Sequence, residues 1–300
     1  MKGESTLSPE QDVNAGFWAE NQPGFKFTNE EPGTSEFFEA IESHRYSLEP
    51  HIPGIARFER WGGKDVLEVG CGIATDGTRF ARAGAIYTGF DGSKEATALA
   101  RQRFKLEGLE GTFVNGDATS LPFADSSFDL VYSHGVIHHF KETEKAVDEF
   151  RRVLRPGGEA IVMLYHRSSF NYHFTIMFLR RFLAALLLLP GADRLIAEIT
   201  GEDVEVLDGH KVLLADNGLT YLTDRELFLS NNTDGPGNPL SKVYTAEESK
   251  ELFAQWNDVE TTVRFLNLRV FPAGGRLAKT ALAERLGRRW GWHLYIKARS

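Results

Sequence analysis

From Lys64 onward the chain alternates short apolar runs with helix-like segments, and this alternation limits the possible folds more than any other feature. The apolar runs are DVLEVG, AIYTGFD, GTFVNGD, SFDLVYS and EAIVMLYH, with helical periodicity over Asp76–Ala83, Lys94–Leu106 and Glu142–Leu154 between them. Continuous apolar strands that alternate with helices indicate a parallel sheet covered on both faces. After a break, TAEESKELFAQW predicts another helix, and DVETTVRFL and WHLYIKA predict two further strands. The pattern therefore predicts an α/β fold with a Rossmann-like, seven-stranded and mostly parallel sheet.

The same pattern divides the chain into four parts. Residues 1–60 are rich in aromatic side chains and predict an N-terminal lid with a helix over Ser35–Ser47. Residues 61–165 and 241–300 supply the core sheet, and residues 166–240, which break the alternation, predict an inserted cap. Within the cap, the Leu-rich run Phe174–Pro190 is shorter than the roughly 20 apolar residues of a spanning helix. Two arginines also sit in its middle. We therefore expect a buried or lid helix and no stable membrane insertion.

Composition narrows the possible partners and the compartment. The net charge of −8 at pH 7 disfavours nucleic acid or an anionic membrane as the main partner, although a local basic patch could override that average. Cys71 is the only cysteine, so no intrachain disulfide is possible. The N-terminal run MKGESTLSPEQDVN lacks an apolar signal-peptide core. These features predict a cytoplasmic protein, and they leave its oligomeric state open.

The first predicted strand runs into a glycine-rich turn, Gly70-Cys71-Gly72-Ile73-Ala74, which is typical of a nucleotide-like ligand site. A triphosphate-binding loop needs a Lys followed by Ser or Thr after its last glycine, and neither is present here. The dinucleotide fingerprint G-x-G-x-x-G misses its third small residue by one position. Glu68, two residues before the first glycine, would repel a pyrophosphate but suits a ligand with an ammonium group.

Two further acids extend this interpretation. Asp91 ends the second predicted strand, where a carboxylate accepts hydrogen bonds from both ribose hydroxyls. Asp117 ends the third predicted strand, in a position to accept a hydrogen bond from an adenine amino group. An adenosine without phosphates and with a cationic tail is S-adenosylmethionine.

Four segments, EVGCGIA, GFDGS, GDATSLPFADSSFDLVYS and RRVLRPGG, resemble in order and spacing the motifs of class I S-adenosylmethionine-dependent methyltransferases of the methyltransferase-11 type. The resemblance covers residues 64–165 closely; Ala74 replaces the common third glycine. It implies an antiparallel last strand. It also implies that Glu68 lies near the methionine amino group, Asp91 at the ribose and Asp117 at the adenine, with backbone contacts from Gly70, Gly72 and Ala118. We also expect cofactor contacts from the neighbouring residues Cys71, Gly92, Ser133 and His134, and from Tyr46.

The run VYSHGVIHHF follows the fourth strand, at the edge of the sheet where ligands bind in this fold. Here His138 or His139 could act as a general base. A metal site is a second interpretation, because His134 and His138 are four residues apart. Packing against the cofactor is the third, and we predict no metal.

Further candidates lie at and beyond the fifth strand and in the aromatic lid. Tyr165 and His166 are alternative bases, and Arg167 could bind a substrate carboxylate or phosphate. His173 and the lid residue Trp18 complete the predicted substrate contacts. The other lid aromatics, Phe17, Phe25, Phe27, Phe37 and Phe38, could form an apolar or cation–π wall or simply dock the N-terminal helix.

These observations predict a methyltransferase that moves a methyl group by in-line displacement to an O, N or C atom of a small-molecule acceptor. The Leu-rich run favours an apolar acceptor, and the acidic chain disfavours nucleic acid. Two alternatives stay open. One is a regulatory protein that binds S-adenosylmethionine without turnover, and the other is a nicotinamide-dependent oxidoreductase on a similar sheet.

Overall fold

The computed structural model describes residues 9–21, 25–268, 274–277 and 280–300. Within them the chain divides into two compact units. The first unit comprises residues up to 164 together with 247–261 and 295–300, and the second comprises 165–246 and 262–294.

A seven-stranded sheet confirms the predicted fold class. Its strands are β1 (Asp65–Val69), β2 (Ile86–Asp91), β3 (Thr112–Asn115), β4 (Phe128–His134), β5 (Leu154–Tyr165), β6 (Asn257–Arg264) and β7 (His293–Arg299). Their spatial order is β3-β2-β1-β4-β5-β7-β6, and the pairings among β1 to β5 are parallel. β7 runs antiparallel to β5: Gly158 accepts a backbone hydrogen bond from Ser300 at one end, and His166 donates to Trp292 at the other. The antiparallel last strand is therefore confirmed.

β5 begins earlier than the sequence indicates. We predicted a strand from Glu159, after a stop at Arg155-Pro156-Gly157-Gly158, whereas the extended segment starts at Leu154. Leu154 pairs with Phe128 and Glu159 with Leu130, so the extra residues form an irregularity in the ladder. Gly157 makes this possible, because it adopts a φ of +77°, which L side chains rarely adopt.

Short helices connect these strands and precede them in the first unit. They are α1 (Pro9–Glu20), α2 (Ser35–Leu48), α3 (Ile52–Ala56), α4 (Thr75–Arg82), α5 (Lys94–Leu106) and α6 (Thr143–Val153), with α12 (Ala246–Leu252) before β6. Single 3₁₀ turns cover Phe25–Phe27, Phe58–Trp61 and Ile137–His139. α5 has the predicted bounds because the Ser93 side chain caps its start by accepting from the Ala96 amide.

Two of the lid aromatics anchor α2 to the first unit. Phe37 and Phe38 are buried together with Ile41 and Ile73. Among the predicted roles of the lid, hydrophobic docking therefore applies to these two rings.

Beside this contact lies an ion cluster. Arg103, which is 0% exposed, pairs with Glu42 of α2 and with Glu107. Because a buried arginine is stable only when its charge is matched, this cluster fixes the position of α2 beside α5.

The second unit is mainly helical. A π-helical segment (Asn171–Arg180) leads into α7 (Arg181–Leu186), followed by α8 (Ala192–Thr200), α9 (Val204–Asn217), α10 (Thr220–Thr223), α11 (Arg225–Thr233), α13 (Gly274–Leu277) and α14 (Ala281–Trp290). Ile176, Ala184 and Leu187 of the Leu-rich run are buried in its core, but Phe178 and Phe182 are exposed. One side of the Leu-rich run is therefore buried and the other side is exposed, so the run is not a wholly buried helix. Among the described helices, none has the length and apolar character that crossing a bilayer requires.

Candidate functional site

The glycine turn between β1 and α4 uses its two glycines for different reasons. Gly70 has a φ of +75°, and a Cβ there would lie 2.2 Å from Cγ2 of Val136. Gly72 has a φ of +52°, but a Cβ there would meet no heavy atom within 4 Å. Gly70 therefore permits close packing inside the protein. Gly72 instead leaves open space in front of the turn.

Asp91 connects this turn to the start of α5 through two hydrogen bonds from backbone amides. Its Oδ2 accepts from the Gly72 amide at 2.8 Å, and its Oδ1 accepts from the Ser93 amide at 2.8 Å. Burial raises the pKa of Asp91, and these backbone hydrogen bonds partly offset that rise. A carboxylate has further lone pairs, so the two amide bonds leave it able to accept from a ligand hydroxyl.

Glu68 lies on β1 beneath the turn and is 4% exposed. The Tyr87 hydroxyl donates to its Oε2 at 2.6 Å. Burial, followed by the nearby Asp76 carboxylate, raises the pKa of Glu68 well above its ordinary value. A cation beside Glu68 would oppose the effects of burial and of Asp76 and would lower the pKa of Glu68.

Asp76, in the first turn of α4, is the centre of a buried polar network that sequence reasoning missed. Arg45 donates to both of its carboxylate oxygens, at 3.0 and 2.7 Å. Tyr46 donates to Oδ1 at 2.7 Å and Tyr132 to Oδ2 at 2.9 Å. Burial alone would raise the pKa of Asp76, but the Arg45 guanidinium and these hydrogen bonds outweigh it and hold the pKa below its ordinary value.

A cavity of about 220 Å³ opens in front of these groups, within the first unit. Five predicted cofactor residues line it: Glu68, Gly70, Cys71, Gly72 and His134. The other lining residues are Phe27, Ile41, His44, Arg45, Leu48, Glu49, Ile73, Thr75 and Asp76. Of these only Phe27 was among the candidates from the sequence. α2 contributes the Arg45 guanidinium, and Glu49, which caps the C-terminus of α2, contributes a carboxylate whose oxygen lies 3.5 Å from that guanidinium.

Tyr46 was predicted to contact the cofactor, and it is not among the lining residues. Its hydroxyl instead belongs to the Asp76 network, and the Arg79 guanidinium lies 3.9 Å above its ring. Burial, followed by Asp76, raises the pKa of Tyr46. Tyr46 thus holds Asp76, which lines the cavity.

In the histidine loop, which we define as His134–His139, His138 and His139 are buried and His134 is half-buried. His134 Nε2 lies 2.9 Å from the Tyr295 hydroxyl, and burial followed by the Arg45 charge lowers the pKa of His134 to about 3. His138 is 0% exposed, and burial followed by His139 lowers its pKa well below the ordinary value. Both imidazoles are therefore neutral near pH 7, and the lowered pKa makes each of them a weaker base than an exposed histidine.

Trp18 of α1 lies beside this loop, with its ring centroid 4.9 Å from that of His139. The Asn14 side-chain amide donates to the His139 carbonyl at 3.2 Å. A Cβ at Gly92 would lie 3.5 Å from the Ala15 Cβ. α1 therefore contacts both the histidine loop and Gly92, the residue that follows Asp91 at the end of β2.

The remaining predicted cofactor residues of the first unit surround the ends of β3 and β4. Asp117 accepts from the Thr119 amide at 2.8 Å and from the Thr119 hydroxyl at 2.7 Å. Ala118 beside it is buried, and Ser133 on β4 is fully buried. None of these residues is among those that line the described cavity.

The four candidates at and beyond the end of β5 belong to the second unit and do not line this cavity. Tyr165 stacks on Trp292 and donates to Asp234 Oδ1 at 2.7 Å. His166 donates from Nδ1 to the Gly291 carbonyl at 3.0 Å. The Arg167 guanidinium donates to the Val243 carbonyl at 3.0 Å. The His173 ring makes an edge contact with the Tyr172 ring, with their centroids 5.0 Å apart. In the part of the chain that the structure describes, no group of three or more His, Cys, Asp or Glu is arranged to hold a metal ion.

Comparison with known proteins shows what part of this chain is similar to. Residues 67–162 match the family model described as a methyltransferase domain. A fatty-acid O-methyltransferase of Mycolicibacterium smegmatis is 39% identical over 122 residues, which are 40% of this chain and 43% of the relative. The phthiotriol/phenolphthiotriol dimycocerosates methyltransferase of Mycobacterium tuberculosis is 42% identical over 99 residues, 32% of this chain and 36% of the relative. The matched segments thus span less than half the length of these relatives.

Among solved structures, the magnesium protoporphyrin IX methyltransferase of Synechocystis PCC 6803 with bound SAH superposes with a TM-score of 0.53. The similarity covers 97% of this chain and 99% of that one at 12% identity. At this identity the likeness concerns the fold alone, which agrees with the sheet described above.

Proposed function

Because residues 67–162 belong to the class I S-adenosylmethionine-dependent methyltransferases of the methyltransferase-11 type, we propose that the chain transfers a methyl group from S-adenosylmethionine to a small lipophilic acceptor. The observation that carries the proposal is the cavity in front of Gly72, with carboxyl groups and a guanidinium in its walls. The two relatives are named for the methylation of a fatty acid and of phthiotriol and phenolphthiotriol dimycocerosates, which supports an apolar acceptor. Neither alternative function, a non-catalytic binding protein or a nicotinamide-dependent oxidoreductase, is favoured by these findings.

The charges in the cavity suit the methionine end of the cofactor. Its ammonium group fits the carboxyls Glu68 and Glu49, and its carboxylate fits Nη1 of Arg45, since Nε and Nη2 donate to Asp76. The sequence prediction gave the ammonium to Glu68 alone. Glu49 adds a second acid that the sequence did not suggest, because its place in the cavity depends on how α2 packs.

We assign the ribose to Asp91 and the adenine to Asp117, as predicted from the sequence. Asp91 adjoins the cavity through its bond to the Gly72 amide, and that bond holds the turn in the conformation that leaves the space in front open. Gly92 and Ala118, next to these acids, allow backbone contacts with the same ligand. Cys71 and His134 contribute apolar and neutral surface, since burial raises the pKa of the Cys71 thiol and lowers that of His134.

The methyl transfer then needs alignment and exclusion of water more than acid–base chemistry. The acceptor atom attacks the methyl carbon, the carbon–sulfur bond breaks, and its electron pair stays on sulfur as S-adenosylhomocysteine forms. A carboxylate acceptor has no proton to lose. For a hydroxyl acceptor the candidate bases remain His138, His139, Tyr165 and His166. Trp18, Arg167 and His173 remain candidates for acceptor binding.

Calorimetric titration with S-adenosylmethionine tests the cofactor site. We expect wild type to bind, and Asp91→Asn to bind at least about tenfold more weakly, a loss of about 1.4 kcal/mol. Asp125→Asn, which alters an exposed carboxylate paired with Arg152, is the matched control and should bind as wild type does.

Transfer of a labelled methyl group to a panel of fatty acids, hydroxylated lipids and quinols then identifies the acceptor class. Labelled lipid product supports the proposal. If wild type fails to bind S-adenosylmethionine, or binds NAD in preference to it, the proposed function is wrong. Cofactor binding without transfer to any of these lipids would instead contradict the lipophilic acceptor.

A further inference from the structure

Tyr295 places a hydroxyl group in the buried part of β7. Tyr295 is 1% exposed, and its neighbours Leu294 and Ile296 are fully buried. A buried tyrosine hydroxyl needs hydrogen-bond partners, because an unpaired hydroxyl is costly away from water. Two distant parts of the first unit supply such partners.

Two histidine side chains contact the Tyr295 hydroxyl. Its oxygen lies 2.9 Å from Nε2 of His134 and 3.1 Å from Nε2 of His51. Both distances are those of ordinary hydrogen bonds. A hydroxyl has one proton, so Tyr295 donates to one imidazole and accepts from the other. When both imidazoles are neutral, one of them therefore carries its proton on Nε2 and the other carries it on Nδ1.

The three residues join different elements of the first unit to the cofactor cavity. His134 ends β4 and lines the cavity, whereas Tyr295 and His51 are not among its lining residues. His51 directly precedes α3, at a position where a side chain commonly caps the helix, but its ring makes no capping hydrogen bond. The His51 ring instead contacts Tyr295, so the chain His51–Tyr295–His134 connects the start of α3 to the cavity wall.

We propose that Tyr295 and His51 are positioning residues of the cofactor site, which together hold the His134 ring in one orientation in the cavity wall. Without the hydroxyl, Nε2 of His134 would lose this partner and the ring would be free to rotate. The cavity has a volume of about 220 Å³, so a ring that turns into it occupies space that the cofactor needs. The inference rests on the proposed function, since it places S-adenosylmethionine in this cavity.

Nitrogen-15 NMR of the full chain, labelled at histidine and free of cofactor, tests the chain of hydrogen bonds directly. The spectra are recorded at about pH 8, where an ordinary imidazole is neutral. The signals of the two histidines are identified by their loss in His51→Gln and His134→Gln. We expect opposite tautomers for His51 and His134 in wild type. The same tautomer for both histidines would overturn the proposal.

Calorimetric titration of Tyr295→Phe with S-adenosylmethionine tests the effect on the site. This change removes only the hydroxyl, and we expect roughly three- to tenfold weaker binding, the effect of one lost hydrogen bond. The matched control is Tyr221→Phe in the second unit, since Tyr221 is 0% exposed and its hydroxyl lies 2.7 Å from Nδ1 of His210. Neither residue lines the cavity, so the control should bind as wild type does. Equal affinity of Tyr295→Phe and Tyr221→Phe would contradict a positioning role.

Two variants of His51 provide a rescue that a merely structural role would not show. His51→Gln keeps an amide that can donate to or accept from Tyr295, whereas His51→Leu cannot form a hydrogen bond. We expect His51→Gln to bind S-adenosylmethionine as wild type does and His51→Leu to bind as weakly as Tyr295→Phe. Equal affinities of the two His51 variants would refute the role of His51, and this pair also decides the matter if Tyr295→Phe does not fold. Wild type that does not bind S-adenosylmethionine contradicts the proposed function, whereas the tautomers, measured without cofactor, still test the hydrogen-bond chain.

Discussion

Replacing Gly72 by alanine should weaken cofactor binding strongly while it lowers the stability of the fold only modestly. The residue has a φ of +52°, and a Cβ there would meet no heavy atom within 4 Å. The new methyl group would therefore occupy the open space of the cavity that Gly72 lines. Its amide would still donate to Asp91, so the turn keeps its anchor.

The expected loss of stability follows from the backbone conformation alone. An L-residue in the left-handed region costs roughly 1–2 kcal/mol. Ala74 already adopts a φ of +55° two residues later, so this turn accommodates an alanine in that conformation. Gly108→Ala is the matched control, because Gly108 has a φ of +63°, no heavy atom within 4 Å of its Cβ position, and no place in the cavity wall. Both variants should lose about 1–2 kcal/mol of unfolding free energy.

Gly70→Ala provides the contrast. Its Cβ would lie 2.2 Å from Cγ2 of Val136, far closer than real contacts allow, so the Val136 side chain or the turn must move. Overpacking of this kind adds roughly 1–3 kcal/mol to the backbone cost. We therefore expect Gly70→Ala to be the least stable of the three variants.

Urea unfolding and calorimetric titration with S-adenosylmethionine measure the two effects. Gly72→Ala should match Gly108→Ala in stability and bind the cofactor at least about tenfold more weakly, a loss of 1.4 kcal/mol or more. Gly108→Ala should bind as wild type does. Undiminished cofactor affinity in Gly72→Ala would refute the placement of the cofactor in this cavity. A larger stability loss in Gly72→Ala than in Gly70→Ala would refute the distinction between the two glycines.

The buried charges of the cavity wall lead to three further predictions. Asp76→Asn leaves Arg45 without its main partner and should lower the unfolding free energy in urea by about 3–5 kcal/mol, whereas Asp125→Asn should change it by less than about 0.5 kcal/mol. Burial raises the pKa of Glu49 from 4.5 to about 7, so its contribution to stability is full below the ordinary pKa and is lost as the pH rises towards 7. Glu49→Gln should remove this decline in urea midpoint. Burial lowers the pKa of His134 from 6.5 to about 3, so its contribution is present above pH 6.5 and is lost as the pH falls towards 3. His134→Gln should flatten that acid-side decline, and an unchanged pH profile would contradict the burial of a neutral imidazole.

Local signals account for the parts of the fold that the sequence predicted well. The helix over Lys94–Leu106 has its predicted bounds because Ser93 caps it, and this signal lies within a few residues of the helix itself. The start of β5 was predicted too late, at Glu159 instead of Leu154. A glycine pair after Pro156 is typical of a helix stop. Whether the chain then pairs with β4 depends on a neighbouring strand that the local sequence does not contain.

The network around Asp76 shows why much of the site could not be predicted. Arg45 and Asp76 are separated by 31 positions, and His134 and Tyr295 by 161. No spacing rule joins such pairs, since they meet only when α2 packs on the sheet and when β7 pairs beside β5. An acid in the first turn of a helix is also explained sufficiently by the helix dipole. Asp76 therefore carried no signal of its own.

The charges of the cavity wall disfavour a phosphate ligand, as the sequence also does. In the sequence, Glu68 and the absence of a lysine after the glycines disfavour a phosphate ligand. The structure adds Glu49 and Asp76 to the same cavity wall, so three carboxyl groups stand beside the single guanidinium of Arg45. Asp76 already holds that guanidinium through two hydrogen bonds. A pyrophosphate entering here would add negative charge next to acids whose pKa values are already raised by burial, as for Glu49 and Glu68. A ligand with an ammonium and a sulfonium would lower those pKa values and stabilise the ionised carboxylates. The electrostatics of the wall therefore select a cationic ligand independently of the glycine spacing.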